Sequence, residues 1–173
     1  MLYQIEFAIL YALQSLHSPW LDQVMTHITT LGDHGFIWIL TGVILTCRPK
    51  TRKIGICVLL SLAAGGLLGN MILKNLIQRP RPCWIDTQVV LLIQNPKDYS
   101  FPSGHTLASL EGALSIWLYN RRLGVPFLFL AALIALSRLY LFVHFPTDVL
   151  AGAVLGSFIA LSVHRIIEQR SMC

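Results

Sequence analysis

Three short polar clusters, distant from one another in the chain, interrupt an otherwise apolar sequence. In chain order they hold Lys74 and Arg81, then Ser103, Gly104 and His105, and finally Arg138, His144 and Asp148. Lysine and arginine are cationic at neutral pH, and the planar fork of arginine matches the geometry of phosphate oxygens. Histidine adds a nucleophile or a proton donor with a near-neutral pKa. Together these residue types are typical of a site that binds and transfers a phosphoryl group.

The middle cluster has the features of a helix N-terminus. Ser103 is a favoured N-cap residue, Pro102 ends the preceding loop, and the apolar run 107–118 continues the helix. We therefore expect the backbone N–H groups of Ser103, Gly104 and His105 to be unpaired and to favour an anion. Gly104 leaves room for a close approach, and His105 is suited to protonate a departing oxygen.

The last cluster predicts an oriented nucleophile. Pro146 suits the first position of a helix, so Asp148 falls in the first turn, where we expect it to hydrogen-bond one nitrogen of His144. The other nitrogen is then free to attack phosphorus and form a phosphohistidine. Because the cations and the helix N-terminus supply the charge stabilisation, the mechanism requires neither a metal ion nor a cofactor.

Composition places these clusters in a membrane protein. The chain is 55% hydrophobic and 12% charged, with a mean hydropathy of +0.65, whereas soluble domains are about a quarter charged. The net charge of +5 does not indicate nucleic-acid binding, because the basic residues are not interleaved with aromatics on a soluble face. No metal-ligand spacing is present among the histidines and cysteines, which include Cys47, Cys57, Cys83 and Cys173.

Hydropathy predicts an all-α, polytopic bundle of about six transmembrane helices forming one domain over residues 1–173. The N-terminal segment, 1–31, contains two apolar stretches, 3–16 and 20–30, each short for a crossing of about 20 residues. We expect one to cross and the other to lie at the interface. The catalytic bundle, 32–167, contains apolar segments at 36–47, 54–77, 103–119, 125–142 and 146–167, a basic turn at 120–124 and an interfacial loop at 83–101. Two glycine pairs predict close helix contacts, at Gly65 and Gly69 and at Gly152 and Gly156.

The basic residues divide unequally between the two ends of the helices. With alternating helix directions, eight of the thirteen lie at one end, which the positive-inside rule makes cytoplasmic. These eight are Arg48, Lys50, Arg52, Lys53, Arg121, Arg122, Arg165 and Arg170. The three polar clusters are then expected on the extracytoplasmic side. The sequence does not specify an oligomeric state.

The clusters together resemble the three-part signature of the type 2 phosphatidic acid phosphatase superfamily, in its integral membrane branch. The matching motifs are Lys74-x6-Arg81-Pro82, Pro102-Ser103-Gly104-His105 and Ser137-Arg138-x5-His144-x3-Asp148. The resemblance implies metal-independent hydrolysis of lipid phosphates or diphosphates, typically undecaprenyl diphosphate or phosphatidylglycerol phosphate in bacterial members of this size. It implies His144 as nucleophile, His105 as acid and Asp148 as the orienting partner. It also implies phosphate ligands at Lys74, Arg81, Ser103, Gly104 and Arg138.

Other interpretations of the polar residues make different predictions. A Ser-His-Asp hydrolase with Ser103 as its nucleophile is disfavoured, because the sequence has no Gly-x-Ser-x-Gly elbow. A transporter or channel is disfavoured, because the sequence has no paired half-helices of an inverted repeat. For Arg79 a lipid headgroup or a second phosphate is one possible partner, and solvated interfacial anchoring is the favoured interpretation. Glu111 lies about 120° around its helix from His105, so we expect it to point away from the phosphate. One interpretation of Glu111 is a neutral carboxylic acid that is bonded to a neighbouring helix.

Overall fold

The fold is built from helices within residues 2–171, the part of the chain that this computed structural model describes. A 3₁₀ turn at Asp33–Gly35 precedes the third α-helix, and a π-helix at Gly66–Leu73 follows the fourth. Cys173 lies outside the described residues, as do Met1 and Met172. The α-helices are α1 (Leu2–Gln14), α2 (Pro19–Leu31), α3 (Phe36–Cys47), α4 (Arg52–Gly65), α5 (Lys74–Ile77), α6 (Pro82–Ile85), α7 (Gly104–Tyr119), α8 (Arg121–Tyr140) and α9 (Pro146–Ser171).

The outward faces of the helices are apolar, as a surrounding bilayer requires. On α9, the exposed residues Leu150, Val154 and Phe158 recur every four positions and form one stripe. Three segments of the described chain are long and apolar enough to span a membrane, and the bent pair Pro19–Leu31 and Asp33–Cys47 brings the number to four if its two helices form one span. The three are Arg52–Ile85, Arg121–Tyr140 and Pro146–Arg170. The prediction of an all-helical membrane bundle is confirmed, and the count of six spans stays a prediction.

Helix α7 lies at the centre of the bundle, where it packs against α4, α8 and α9. The backbone of Gly65 lies against the carboxyl group of Glu111, and Gly156 lies against the carbonyl oxygen of Leu107. A β-carbon at Gly156 would come within 2.6 Å of that oxygen, so only glycine permits the observed approach of α9 to α7. The close helix contacts predicted at both glycine pairs are therefore confirmed.

Most helix bounds agree with the sequence prediction, and α3 matches it residue for residue. The predicted turn at 120–124 is wrong, because α8 already begins at Arg121. The side chain of Asn120 accepts a hydrogen bond from the backbone N–H of Leu123 at 3.0 Å and caps the helix there. Helix α9 also extends beyond the predicted end at residue 167.

Irregular segments at one end of the bundle bring the polar clusters together. Gln78, with φ of 50°, ends α5 in the left-handed region just before Pro80. Phe142, with φ of 59°, turns the chain after α8, so His144 lies in the connection to α9. Helix α1 covers this connection, since the ring of Phe7 packs edge-on against Phe145 with 5.4 Å between centroids. The N-terminal segment thus touches the polar end.

Candidate active site

A cavity of about 950 Å³ at the polar end collects most of the predicted site residues. Six of the eight line it, while Ser103 and Asp148 are fully buried behind its wall. The six are Lys74, Arg81, Gly104, His105, Arg138 and His144. Three clusters that are distant in sequence therefore face one space. Their individual roles stay predictions.

His144 is buried, with 1% of its surface exposed, in the connection between α8 and α9. Its Nε2 atom lies 3.1 Å from Nη1 of Arg81, which also donates to the carbonyl oxygen of Val143 at 2.7 Å. Since a guanidinium group only donates, Nε2 accepts and the ring proton is assigned to Nδ1. Burial, and then the charges of nearby cations, hold the pKa of His144 well below its usual value. The cations are Arg81, Arg138 and Lys74.

Asp148 does not form the direct hydrogen bond to His144 that the sequence predicts. Its Oδ2 atom lies 3.8 Å from Nδ1 of His144. The same oxygen instead accepts from the hydroxyl of Ser100 at 2.5 Å and from the backbone N–H of Phe145 at 2.9 Å. Oγ of Ser100 lies 3.4 Å from Nδ1, so it stands between the carboxylate and the ring. The carboxylate lies away from the ring because it also caps the N-terminus of α9, where it accepts from the backbone N–H of Phe145.

Arg79 is not a solvated anchor, which corrects the interpretation favoured from sequence. Its side chain is mostly buried, and its Nη1 atom donates to Oδ1 of Asp148 at 2.5 Å. Its Nη2 atom donates to Oε2 of Glu6 on α1, also at 2.5 Å. The two buried carboxylates accept from this guanidinium group in place of the water that an interfacial anchor would contact. The N-terminal helix therefore contributes a contact to the site.

Asp98 forms ion pairs with two of the cations that line the cavity. Its carboxylate forms an ion pair with Lys74 and accepts from Nη2 of Arg81 at 2.7 Å, and its backbone carbonyl accepts from Nε of Arg81 at 2.7 Å. Burial alone raises the pKa of Asp98, but the hydrogen bond and charge of Lys74, followed by those of Arg81, outweigh it and hold the pKa well below its usual value. Asp98 is therefore ionised across the neutral and mildly acidic range.

His105 lies at the N-terminus of α7 and pairs with Asp33. Its Nε2 atom lies 2.9 Å from Oδ1 of Asp33 in the 3₁₀ turn. The Asp33 side chain is 52% exposed, so this pair is far more open to water than the surroundings of His144. Burial and then the charge of Arg138 favour the neutral ring, and the carboxylate of Asp33 opposes them by favouring the protonated imidazole, the form that a general acid requires.

Ser103 occupies the predicted N-cap position, but its backbone N–H group is not unpaired. It donates to the carbonyl oxygen of Asp148 at 3.0 Å, which ties the start of α7 to the start of α9. Its hydroxyl accepts from the hydroxyl of Thr106 at 3.0 Å and is fully buried. The expectation of three free N–H groups is therefore wrong at Ser103, because tertiary contact satisfied the donor.

Arg138 is buried, with 3% exposed, and one of its buried donor atoms has no hydrogen-bond partner among the described residues. Its Nη1 atom donates to the hydroxyl of Thr29 at 2.6 Å. Its Nε atom has no hydrogen-bond partner within residues 2–171, although the residue lines the cavity. A buried donor without a partner is costly unless a ligand satisfies it, so Arg138 is suited to bind an anion.

Glu111 faces the cavity, and the expectation that it points away from the phosphate stays a prediction. It lines the same cavity as His105, and its Oε1 atom has no hydrogen-bond partner among the described residues. Gly65 approaches so closely that the carboxyl group rests on the backbone of the neighbouring helix. The cavity is wide enough along α7 that two side chains well apart around the helix both reach it.

Several residues of the site were missed by sequence reasoning. Ser100 and Asp98 lie in the few residues before Ser103, in a loop with no periodicity to give them a direction. The sequence does indicate a role for Glu6, because an acidic residue within an apolar segment indicates a buried partner. Its partner was not evident, because nothing local relates Glu6 to Arg79.

Comparisons with known proteins show what this chain is similar to. The family model described as "PAP2 superfamily" matches residues 54–172. The chain is 34% identical to the undecaprenyl-diphosphatase of Sulfolobus acidocaldarius, over 81% of this chain and 68% of the relative. It is also 34% identical to phosphatidylglycerophosphatase B of Bacillus subtilis, over 82% of this chain and 72% of the relative. The crystal structure of the first transmembrane PAP2 type phosphatidylglycerolphosphate phosphatase from Bacillus subtilis matches with a TM-score of 0.78 and 30% identity, covering 97% of this chain and 87% of that one.

Proposed function

Since this chain belongs to the PAP2 superfamily and is a lipid phosphatase, we propose that it transfers the phosphoryl group of its substrate to His144 before water releases phosphate. One observation carries the proposal. Nε2 of His144 lies 3.1 Å from Arg81 at the wall of a cavity that His105 also lines. A nucleophile, a phosphate-binding cation and a proton donor therefore share one space.

The cations of the cavity support a reaction without a metal ion. Lys74, Arg81 and Arg138 line the cavity on different elements, so they surround a phosphoryl group placed there. Fixed cations of this kind stabilise the negative charge on the equatorial oxygens of the transition state. Asp98 must release Lys74 and Arg81 when a phosphate takes its place.

The proposed reaction has two steps with a balanced proton transfer. Nε2 of His144 attacks phosphorus, the bond to the leaving oxygen breaks, and His105 donates a proton to that oxygen. Water then attacks the phosphohistidine and gives a proton to His105, and phosphate departs. The positive charge on the phosphorylated ring is balanced by Asp148 through Ser100, whose hydroxyl lies 3.4 Å from Nδ1.

We propose undecaprenyl diphosphate or phosphatidylglycerol phosphate as the substrate, with the site on the extracytoplasmic face. Relatives named for these two activities, each 34% identical, support the choice of substrates. The excess of basic residues in the turns and tail at the opposite end supports the orientation. Water-soluble phosphate would then be released outside the cytoplasm.

The mechanism is tested with detergent-solubilised protein and both lipids, in the presence of EDTA. We expect phosphate release that persists with the chelator and disappears in His144→Asn, while His27→Asn, an exposed histidine on α2, serves as the matched control. An alkaline quench of ³²P-labelled substrate should trap acid-labile protein-bound phosphate in the wild type alone. Activity that vanishes with EDTA and returns with a divalent metal would refute the metal-free mechanism, and label on His144→Asn would refute the nucleophile.

The orientation is tested by labelling intact cells with a membrane-impermeant maleimide. Lys97→Cys should react and Lys50→Cys should not, in a background with Cys47 and Cys173 replaced by serine because Cys47 is exposed. The reverse pattern would contradict the proposed face without affecting the mechanism.

A further inference from the structure

The guanidinium group of Arg79 joins α1 to Asp148 through contacts that the proposed reaction does not use. Nη2 donates to Oε2 of Glu6 and Nη1 donates to Oδ1 of Asp148, both at 2.5 Å. Thr147 closes the network, since its hydroxyl donates to Oε1 of Glu6 at 2.5 Å and accepts from Nη1 of Arg79 at 2.6 Å. All four side chains are therefore held by more than one partner.

The two carboxylates of the network are withdrawn from water, and the side chain of Arg79 is mostly buried. Glu6 is 2% exposed and Asp148 is fully buried. The carbon between the nitrogens of Arg79 lies 4.2 Å from the ring centroid of Phe145 and 5.2 Å from that of Tyr3. Burying two carboxylates and a cation together is costly, so a simple tether for α1 does not explain it.

The charges of the network explain why a second carboxylate is present. Arg79 and Asp148 alone would form a neutral pair, which leaves little negative charge to act on His144. With Glu6 included, one cation faces two carboxylates and the network carries a net charge of −1. That charge is available on the side of Asp148 that faces Ser100 and His144.

On this basis we propose that Glu6 and Arg79 are positioning residues for Asp148, and through it for the nucleophile His144. Arg79 fixes the carboxylate of Asp148, while Glu6 offsets the charge of Arg79 so that Asp148 still stabilises the cationic phosphohistidine. Glu6 lies outside residues 54–172, the segment matched by the family model, so α1 adds a part of the site from beyond that segment. The inference rests on the proposed function of His144.

The first test is a steady-state comparison of Glu6→Gln, Arg79→Met and the double variant with the wild type. Glu6→Gln keeps the shape and removes the charge, and we expect kcat to fall by about 10- to 100-fold, the usual range for residues that orient an active group. KM should stay within about 2-fold, because Glu6 touches none of the cations that line the cavity. In the Arg79→Met background, Glu6→Gln should cause no further loss, because its effect passes through Arg79.

A pH profile separates this role from a purely structural one. The acid limb of kcat/KM reports protonation of His144 in the free enzyme. Glu6→Gln removes one negative charge from the surroundings of the ring, which disfavours the protonated imidazole, so the acid limb should move to lower pH. The charged and titratable groups that surround His144 and contribute to its field are Lys74, Arg79, Arg81, Asp98, His105, Arg138 and Asp148. None of these is altered in Glu6→Gln.

Tyr11→Phe provides the matched control. It removes another contact of α1, the 2.8 Å hydrogen bond from Tyr11 to Asp86, without touching Asp148. We expect wild-type kcat and an unmoved acid limb. Glu6→Gln with wild-type kcat, additive loss in the double variant, or an unmoved acid limb with a lowered melting temperature would each overturn the inference. An inactive wild-type protein would instead refute the proposed function.

Discussion

The two histidines of the site lie in contrasting surroundings. His144 is 1% exposed and belongs to a buried network that runs through Ser100, Asp148 and Arg79 to the N-terminal helix. Among the described residues, the one hydrogen-bond partner of the His105 ring is Asp33, whose side chain is half exposed on a 3₁₀ turn. The ring of His144 is thus held by a buried network, whereas the ring of His105 is hydrogen-bonded to a half-exposed carboxylate.

This difference fits the separate tasks of a nucleophile and an acid. A nucleophile attacks along one line, so its ring must be oriented and its reactive nitrogen unprotonated, and burial among cations favours the neutral form. An acid must exchange protons with the leaving oxygen and with incoming water, so it needs access more than rigidity. The comparison predicts that equivalent changes around His144 and around His105 will have very unequal effects on kcat.

The largest expected effect is that of Asp148→Asn. The amide keeps the size of the side chain but removes the charge that balances the phosphorylated His144, and it disturbs the hydrogen bond from Ser100. We expect kcat to fall by roughly 10³- to 10⁴-fold, as when the aspartate of a Ser-His-Asp triad is converted to asparagine. Single-turnover phosphate release measures it. A loss of kcat below about tenfold would remove the distinction between the surroundings of His144 and those of His105.

The next effect is that of Ser100→Ala, which removes the hydroxyl between Asp148 and Nδ1 of His144. We expect kcat to fall by about 10- to 100-fold with little change in KM, because the ring loses its orienting contact. Thr106→Val is the control, since Thr106 is also a buried hydroxyl near Ser103 but does not contact His144. Equal losses in the two variants would argue for a packing effect.

A smaller effect is expected from Asp33→Asn, which changes the surroundings of His105. His105 then lacks the carboxylate that stabilises its protonated form, so the basic limb of the kcat profile should move to lower pH. Because the pair is exposed and water replaces part of the contact, we expect kcat at neutral pH to fall by only about tenfold. A pH–rate series from pH 5 to 9 measures the shift. A loss as large as that of Asp148→Asn would reverse the comparison.

The smallest expected effect is that of Asp98→Asn, and it has the opposite sign. Asp98 competes with phosphate for Lys74 and Arg81, so its removal should lower the inhibition constant of inorganic phosphate by about threefold. The depressed pKa means that the carboxylate is charged well below pH 5, and the ion pairs are lost only as pH falls through that low value. The competition should therefore be constant from pH 5 to 8 in the wild type. The ratio of the phosphate inhibition constants of the wild type and Asp98→Asn, measured at both pH values, tests this, because the ionisation of phosphate itself affects the two proteins alike.

Sequence reasoning succeeded where local chemistry fixes the outcome. The apolar runs predicted α3 residue for residue, and the small-residue spacing at Gly65 and Gly156 predicted close contacts with a neighbouring helix. It failed where a side chain chooses among partners from elsewhere in the chain. The sequence favours a solvated anchor for Arg79 because basic residues at span ends usually are solvated, and Glu6, 73 residues earlier in the chain, overrides that tendency.

The sequence by itself determined the helices, the residue types of the site and the family, because hydropathy, turn chemistry and motif spacing are properties of short stretches. Only the tertiary structure decided which groups meet. Ser100 stands between Asp148 and His144, and Asp98 holds the cations, because directional contacts of a few ångströms depend on how loops fold over the helix ends. No periodicity encodes that arrangement.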